Sequence, residues 1–343
     1  MNRPLTVVFL YPGQGSQTVG MARELYTSWP WFKENMDHLF SFCPQNKAVP
    51  LHGVMLGLNE QGPLLAQTLY TQPILYALEV MLTKVWARWN VKPDKVLGHS
   101  LGEIAAASAS GVFTAEEGMR LASERGRLMQ MLPQSGRYAV VIGESSEVIE
   151  IIHPYKPEAV VGGSNGPNIT VVTGKAPLVD EVLAECMKRG MTVRTIPVSL
   201  PFHSPLMEPM LDAFDQICTE FKFNPPKLSW VSTMSGQCMN THEGLDKEYW
   251  KAQIIEPVRF WAGMVAATSE DRCLMMEAGC GKTLLNMGKQ AIEEENHLWI
   301  HSLDPKKRDA DALRDAATFL SDSGIEVDMD QVRIDLESLQ SGE

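Results

Sequence analysis

The feature that most constrains the fold of this chain is a five-residue turn, Gly98-His99-Ser100-Leu101-Gly102. The apolar pair before it, Val96-Leu97, predicts a short buried strand, and the alanine-rich segment after it, Glu103 to Ser110, predicts a helix packed closely against a sheet. Gly-x-Ser-x-Gly between a strand and a helix is the nucleophile-elbow pattern, in which the glycines permit a sharp turn that raises the serine oxygen above the sheet. The pattern therefore predicts a strand–turn–helix unit with Ser100 as a candidate nucleophile.

Strand and helix patterns alternate along the rest of the large part of the chain. The short apolar run from Val7 to Tyr11 ends in Pro12-Gly13-Gln14-Gly15, which favours a buried strand and a tight turn over a signal peptide. Apolar residues at helical spacing predict a helix from Gln72 to Asn90, which Pro93 ends. Alternating strands and helices favour a mostly parallel sheet covered on both faces, so we predict an α/β fold with an α/β-hydrolase-like large domain.

The segment over residues 137–197 has a different order of elements. Its patterns predict a strand, a helix, two strands, a helix and a strand, at Tyr138 to Ile142, Ser146 to Ile152, Ala159 to Gly163, Ile169 to Thr173, Pro177 to Arg189 and Thr192 to Pro197. This is the split ferredoxin-like order, so we predict a small inserted subdomain over residues 137–197. The catalytic domain is then discontinuous, over residues 1–136 and 198–321, and residues 322–343 are expected to form an acidic C-terminal tail.

Composition and charge restrict the function. The chain has 343 residues, of which 44% are hydrophobic, enough to bury a core without disulfides or metals. Its formal net charge of −12 argues against binding of nucleic acid or of an anionic membrane surface, and no segment approaches the length of a membrane span. The cysteines form no Cys-x-x-Cys pair and no zinc-spaced cluster with histidine, so we expect reduced thiols in a cytoplasmic protein without a metal site. They are Cys43, Cys186, Cys218, Cys238, Cys273 and Cys280.

A serine nucleophile needs a general base, and the histidines are the candidates. They are His38, His52, His99, His153, His203, His242, His297 and His301. His99 is the neighbour of Ser100 in sequence, but adjacent side chains on a turn usually diverge. From residue chemistry alone, the choice of base stays open among all of them.

The serine motif is one of several distinctive segments along the chain. The strongest are Tyr11-Pro12-Gly13-Gln14-Gly15-Ser16-Gln17, Gly98-His99-Ser100-Leu101-Gly102-Glu103, Glu124-Arg125-Gly126-Arg127-Leu128-Met129-Gln130 and Pro197-Val198-Ser199-Leu200-Pro201-Phe202-His203-Ser204. Weaker ones are Asn165-Gly166-Pro167, Glu256-Pro257-Val258-Arg259-Phe260 and Glu277-Ala278-Gly279. In order and spacing, over residues 5 to 320, these segments resemble the malonyl-CoA:acyl carrier protein transacylases and the acyltransferase domains of polyketide and fatty acid synthases.

This resemblance implies catalytic roles for individual residues. Ser100 would take the acyl group, and His203 would serve as its base and then as the acid for the leaving thiolate. The backbone N–H groups of Gln14 and Leu101 would form the oxyanion hole. Gln253 falls where the family places the residue whose main-chain carbonyl orients the histidine.

The resemblance also implies how the acyl group is chosen. Arg125 matches the family's carboxylate-binding arginine, and a guanidinium binds the free carboxylate of a malonyl group bidentately. Phe202 and Leu101 imply crowding at the α-carbon, which favours malonyl over methylmalonyl units by about 1–3 kcal/mol per methyl group. Asn165 is assigned to substrate binding, whereas Arg127, on another side of the helix, receives no role.

These assignments predict a malonyl-CoA:acyl carrier protein acyltransferase. It would move a malonyl group from malonyl-CoA through an acyl-serine to the phosphopantetheine thiol of an acyl carrier protein, in ping-pong order, for polyketide or fatty acid synthesis. We expect no permanently bound cofactor, and a monomer or a part of a synthase complex.

Other functions stay open on the sequence. One is an acyl-thioester hydrolase on the same scaffold, although an α/β-hydrolase places its acid between serine and histidine, and Asp180 in the small subdomain is the only aspartate there. Another is a non-catalytic docking module of a synthase, which would have an unreactive Ser100. A narrower alternative is a transferase for methylmalonyl or another acyl group.

Overall fold

The structure is a computed structural model that describes residues 5–239, 245–269, 272–292 and 297–340. Its strands are β1 (Thr6–Tyr11), β2 (Lys95–Gly98), β3 (Gly136–Ile142), β4 (Ala159–Gly166), β5 (Ile169–Lys175), β6 (Thr192–Ile196), β7 (Ser229–Ser232), β8 (Gln237–Met239), β9 (Cys273–Cys280) and β10 (Leu298–Leu303). Its helices are α1 (Arg23–Ser28), α2 (Pro30–Ser41), α3 (Leu51–Leu56), α4 (Thr68–Arg88), α5 (Gly102–Ala109), α6 (Ala115–Gln130), α7 (Ser145–Ile152), α8 (Ala176–Lys188), α9 (Leu211–Cys218), α10 (Lys247–Ile255), α11 (Phe260–Thr268), α12 (Thr283–Ala291), α13 (Asp309–Asp322) and α14 (Met329–Gln340).

The larger sheet has the strand order β10-β9-β1-β2-β7-β8 and is parallel except for the edge strand β8. Val7, Phe9 and Tyr11 of β1 point into one apolar cluster, while Val8 and Leu10 point into another on the opposite face. Helices therefore cover both faces, which explains why the strands are apolar runs rather than alternating patterns. The predicted parallel α/β fold is confirmed.

The smaller sheet is antiparallel, with the strand order β4-β5-β3-β6. Helices α7 and α8 pack on one of its faces around a separate apolar cluster that includes Val141, Val172 and Leu183. The order strand, helix, two strands, helix, strand over Gly136 to Ile196 is the ferredoxin-like order that the sequence predicts.

The two sheets are joined at backbone level in two places. The N–H of Gly136, where β3 begins, donates to the carbonyl of Ser199 at 2.7 Å. The loop residue Val258 of the large domain exchanges two hydrogen bonds with β4, because Ser164 donates to its carbonyl (2.8 Å) and its own N–H donates to the Gly162 carbonyl (3.0 Å). These hydrogen bonds therefore attach the small sheet to the large domain at the start of β3 and along the edge strand β4.

Helix α4 begins earlier than the sequence predicts. The expected start is Gln72, next to Pro73, but the helix starts at Thr68 and contains the proline. The Thr71 hydroxyl donates to the carbonyl of Gln67 at 2.9 Å and helps to close the turn before Pro73. This extra turn places Thr68 and Gln72 in the protein interior.

The end of the described chain is folded rather than a tail. The segment over residues 322–343 is expected to be an acidic tail, but α14 covers most of it and buries Val332, Leu336 and Leu339. The buried Asp335 carboxylate accepts two hydrogen bonds from Arg88 (2.7 and 2.9 Å) and one from Trp89 Nε1 (2.8 Å). The difference arises because apolar residues recur at helical spacing among the acidic ones.

Membrane-spanning helices and metal-binding clusters are both absent from the described part of the chain. No helix there has the length and apolar character that crossing a membrane requires. No group of three or more His, Cys, Asp or Glu side chains in these residues is arranged to hold a metal ion. All the cysteines are buried except Cys238, which is half-buried.

Candidate active site

Ser100 lies on the turn between β2 and α5, at the carboxyl end of the parallel sheet. Its φ of 53° lies in the left-handed region, which residues other than glycine rarely adopt. A Cβ at Gly98 would lie 2.1 Å from the carbonyl of Gly102, and a Cβ at Gly102 would lie 2.0 Å from the carbonyl oxygen of Tyr11. Only glycine fits at both positions, so close packing holds the strained turn on which the serine is presented.

His203 faces the serine. Its Nε2 lies 2.7 Å from Ser100 Oγ, and its Nδ1 lies 3.0 Å from the main-chain carbonyl oxygen of Glu256. Because a carbonyl can only accept, Nδ1 carries the proton and Nε2 is left as the acceptor for the serine hydroxyl. His203 also has a left-handed backbone, with φ of 57°, and its ring is buried.

The protonation of His203 is set by its surroundings. Its pKa is lowered to about 3, mainly because burial disfavours the charged ring and then because the Arg125 guanidinium is close. The main-chain carbonyls of Glu256 and Gln253 act in the opposite direction without restoring the usual pKa. His203 is therefore uncharged at neutral pH, as a group that accepts a proton must be.

Among the described residues, His203 is the histidine that the fold brings to Ser100. The His99 ring points elsewhere, with its Nε2 3.0 Å from Asn165 Oδ1. The other described histidines belong to other parts of the fold: His38, His52, His153, His297 and His301. His242 lies outside the described residues.

Gln253 is in the site, but its contacts differ from those expected. The main-chain carbonyl at hydrogen-bond distance from His203 is that of Glu256, whose extended backbone (ψ 152°) just after α10 turns the carbonyl out of the helix. The Gln253 side chain instead donates to the main-chain carbonyl of Ser100 at 2.7 Å and accepts from Arg125 at 3.3 Å. The expected Gln253 carbonyl also favours the charged form of the His203 ring, but less than the Glu256 carbonyl, which is the one hydrogen-bonded to Nδ1.

Arg125, on α6, is buried beside the serine. Its Nη1 donates to the side-chain oxygen of Gln72 at 2.9 Å, and its Nη2 lies 3.5 Å from Ser100 Oγ. Its Nε has no hydrogen-bond partner among the described residues. Burial lowers its pKa to about 10, partly opposed by the negative charge of Glu103, so the guanidinium is charged at neutral pH. A buried guanidinium that donates to neutral side-chain oxygens and has one N–H group without an acceptor attracts an anion.

Glu103, in the first turn of α5, is a buried carboxylate behind the site, and no role for it was predicted from the sequence. Its oxygens accept from the Tyr249 hydroxyl (2.5 Å) and from the N–H of Thr233 (3.0 Å), and one lies 3.4 Å from Gln253 Nε2. Burial raises its pKa, and these hydrogen bonds partly oppose the rise. Its place directly after the serine motif is the signal that could have pointed to it.

A small pocket opens above Ser100 and is lined from both sheets. The large domain contributes Gln14, Phe202 and His203, and the small sheet contributes Tyr138 and Ile196. Phe202 packs edge-on to Tyr138, with ring centroids 6.4 Å apart and an interplanar angle of 72°. Tyr138 and Ile196 could not be recognised from the sequence, because a strand pattern does not reveal which face of the small sheet covers the serine.

The two predicted oxyanion donors lie next to the serine. Gln14 lines the pocket, and its side-chain oxygen accepts from the Thr68 hydroxyl at 2.8 Å. Leu101 immediately precedes α5, where the helix dipole favours negative charge. Within the described chain, neither backbone N–H donates to a backbone carbonyl.

Asn165, on β4, is predicted to bind substrate. The structure buries it and places its Oδ1 3.0 Å from His99 Nε2, and it is not part of the pocket lining. Its hydrogen bond therefore joins the small sheet to the turn that carries Ser100, and direct contact with substrate stays a prediction.

Known proteins resemble this chain over most of its length. A family model described as the acyl transferase domain matches residues 8–326. The spectinabilin polyketide synthase system protein NorB of Streptomyces orinoci is 35% identical over 292 residues, which are 84% of this chain and 13% of that protein. The type I phenolphthiocerol synthesis polyketide synthase Pks15/1 of Mycobacterium marinum is 32% identical over 321 residues, 93% of this chain and 15% of that protein. The chain therefore spans only a small part of the length of these curated relatives.

Solved structures resemble the fold as a whole. The acyltransferase domain from the second module of the salinomycin polyketide synthase has a TM-score of 0.90 and 30% identity, covering 99% of this chain and 79% of that chain. The malonyl-CoA:acyl carrier protein transacylase of Xanthomonas oryzae pv. oryzae has a TM-score of 0.79 and 28% identity, covering 89% of this chain and 96% of that chain. The parallel-rich sheet and the separate small antiparallel sheet match those of these structures.

Proposed function

The chain belongs to the acyl transferase domain family, and from this premise we propose that it transfers a malonyl group from malonyl-CoA to the phosphopantetheine thiol of an acyl carrier protein. The group would be held as an ester on Ser100 between the two thioesters. The relatives named above are polyketide synthases, and a malonyl-CoA:acyl carrier protein transacylase shares the fold. We therefore place the reaction in polyketide or fatty acid synthesis.

The observation that carries this proposal is the position of Arg125. Its Nη2 lies 3.5 Å from Ser100 Oγ, the atom that would bear the acyl group. A malonyl ester has its free carboxylate one methylene beyond the acyl carbonyl, and a guanidinium binds such a carboxylate through two charge-assisted hydrogen bonds. An uncharged acyl group offers no carboxylate to this buried guanidinium, whose Nε has no hydrogen-bond partner among the described residues.

In the first half-reaction, Ser100 Oγ attacks the thioester carbonyl while His203 Nε2 takes the hydroxyl proton. The Glu256 carbonyl holds Nδ1–H and so keeps Nε2 directed at the serine. The backbone N–H groups of Gln14 and Leu101 would donate to the oxyanion of the tetrahedral intermediate. The intermediate then collapses, the carbon–sulfur bond breaks, and the leaving CoA thiolate takes the proton from Nε2.

The second half-reaction repeats these steps with the carrier's thiol as the nucleophile. His203 takes the thiol proton, the thiolate attacks the ester, and Ser100 recovers its proton from His203. Donor and product are both thioesters, so the two half-reactions are near mirror images and follow ping-pong order. A neutral carbonyl stabilises the imidazolium less than the carboxylate of a Ser-His-Asp triad does, which suits exchange between reactive thioesters.

Crowding at the pocket supports malonyl as the preferred group. Phe202 lines the pocket and packs against Tyr138, and Leu101 is buried beside the serine. A methyl branch on the α-carbon would meet this wall, at a cost of about 1–3 kcal/mol. We further propose that the enzyme has no resident cofactor, since every proton and acyl transfer above uses only the protein, the acyl-CoA thioester and the carrier thiol. We also propose a cytoplasmic location, in keeping with the scattered cysteines.

The test is a panel of malonyl-CoA, methylmalonyl-CoA and acetyl-CoA offered to the purified protein with candidate carrier proteins. Intact mass should show one malonyl adduct on the parent and none on Ser100→Ala, and the malonyl group should then appear on a carrier. Free malonate in place of malonyl-carrier would contradict transfer and indicate a hydrolase. The absence of an adduct with every acyl-CoA would indicate a non-catalytic docking module.

A further inference from the structure

Gln72, on α4, connects two parts of the site that are distant in sequence. It is buried, its Oε1 accepts from Arg125 Nη1 at 2.9 Å, and its Nε2 donates to Thr68 Oγ1 at 2.8 Å. The Thr68 hydroxyl donates in turn to Gln14 Oε1, also at 2.8 Å. A continuous chain of hydrogen bonds, buried except at its Gln14 end, therefore joins the arginine to the loop that carries the Gln14 N–H.

The chemistry of the groups fixes the direction of every bond in this chain. Arginine has only donors, so the end of Gln72 that faces it must be the oxygen. The opposite end is then the NH₂ group, which the Thr68 oxygen accepts, and this leaves the threonine proton for Gln14. An amide can serve both ends at once, whereas a carboxylate has no donor for Thr68.

Close packing leaves the Gln72 side chain little freedom. A Cβ at Gly126 of α6 would lie 3.2 Å from the Gln72 Cβ and 2.6 Å from the carbonyl oxygen of Thr68. The two helices thus approach at a glycine directly beside Arg125. The arginine's other contacts, the Gln253 side-chain oxygen at 3.3 Å and Ser100 Oγ at 3.5 Å, are neutral as well.

We propose that Gln72 is a positioning residue that determines specificity: it holds Arg125 in place with a neutral oxygen, so that the guanidinium keeps its charge for the carboxylate of the acyl group. This inference rests on the proposed function. A carboxylate at the same position would pair with Arg125 and occupy the charge that the acyl carboxylate needs. Through its other end, Gln72 is linked by the Thr68 hydroxyl to the Gln14 side chain.

The main test is Gln72→Glu, which keeps the size of the side chain and adds one negative charge beside Arg125. Single-turnover formation of the acyl-enzyme is measured on the full chain with malonyl-CoA and with acetyl-CoA. Since hydrogen bonds to charged groups contribute about 1.5–3 kcal/mol, the malonyl-to-acetyl ratio of kcat/KM should fall about 10- to 100-fold. Gln67→Glu is the matched control: it adds the same charge at the exposed N-cap of α4, and the ratio should not change.

A second variant, Gln72→Met, removes the hydrogen bonds to Arg125, Thr68 and Met129 without adding a charge, and it decides the question if Gln72→Glu does not fold. Loss of positioning should raise the KM for malonyl-CoA about 5-fold, which corresponds to about 1 kcal/mol, while acetyl transfer is largely kept because acetyl has no carboxylate for Arg125 to hold. Equal losses for both acyl groups, in either variant, would overturn the specificity role and leave only a structural one. An unchanged ratio in Gln72→Glu would also overturn it. Failure of the proposed function has a different signature, namely no malonyl adduct on the parent protein.

Discussion

Replacement of Arg125 by alanine should separate recognition of the acyl carboxylate from the chemistry at Ser100. The guanidinium is buried and reaches to within 3.5 Å of Ser100 Oγ. The proton transfer, however, uses the 2.7 Å contact between Ser100 and His203, to which the arginine contributes no atom. Arg125→Ala should therefore affect carboxylated and uncharged acyl groups very differently.

The size of the difference follows from the lost contacts. Two charge-assisted hydrogen bonds to a malonyl carboxylate contribute about 3–6 kcal/mol together, which corresponds to a loss of about 100- to 10,000-fold in kcat/KM. An acetyl group loses none of this. The positive charge of Arg125 is also one of the causes that lower the pKa of His203, after burial, so its removal should raise that pKa and make the ring more basic. Acetyl transfer should be kept or accelerated, and the pH below which it declines should move upward because a more basic ring is protonated at a higher pH.

The assay is the rate of acyl-enzyme formation, followed by intact mass, with malonyl-CoA and acetyl-CoA in parallel. Arg127→Ala is the matched control, because that side chain is 38% exposed and pairs with Glu124 at 2.8 Å. Equal malonyl rates in Arg125→Ala and the parent would refute carboxylate recognition. Equal losses for both acyl groups would show instead that Arg125 only supports the structure of the site.

Three further predictions concern stability. Gly102→Ala should lower the free energy of unfolding by about 4 kcal/mol or more, because its Cβ would lie 2.0 Å from the Tyr11 carbonyl oxygen; a loss in urea unfolding below about 1 kcal/mol would contradict this close packing. Burial raises the pKa of Glu277 to about 7, so between about pH 5 and pH 7 the folded chain keeps a proton that the unfolded chain has lost. The free energy of unfolding should therefore fall as the pH rises through this range, by at most about 1.4 kcal/mol per pH unit. Glu277→Gln should lack this contribution, and identical pH–stability curves for the two proteins would exclude it. Asp335→Ala removes the acceptor of three hydrogen bonds from Arg88 and Trp89, so α14 should become more sensitive to limited proteolysis, with a loss of about 2 kcal/mol; unchanged cleavage would show that apolar packing alone holds the helix.

The elements of the fold were predictable where their signals are local. The turn at Ser100 needs two glycines at set positions, and the strand and helix on either side follow from short apolar and alanine-rich runs. The small sheet was predictable because its order of elements is unusual. The start of α4 was not predictable from the sequence. Pro73 suggests the first turn of a helix, and the hydrogen bond from Thr71 that helps to close the earlier turn produces no apolar periodicity.

The site was less accessible to sequence reasoning, since its contacts join distant segments. Residue chemistry left eight histidines open as the base, and only the family resemblance pointed to His203. The carbonyl of Glu256 could not be recognised, because every residue has a carbonyl and its direction depends on where α10 ends. Gln72 was missed for a related reason: a glutamine on an apolar helix gives no sign that it faces an arginine on another helix.

The link between Val258 and β4 has a practical consequence for exchanging parts between relatives. Val258 lies two residues after Glu256, whose carbonyl orients His203, and it is hydrogen-bonded on both sides to Gly162 and Ser164 of the small sheet. A chimera that replaces only residues 137–197 would place a foreign edge strand against the native loop, whose hydrogen bonds to β4 hold the Glu256 carbonyl close to the imidazole ring. The natural boundary of an interchangeable module therefore includes this loop, although the loop is remote from the small sheet along the chain.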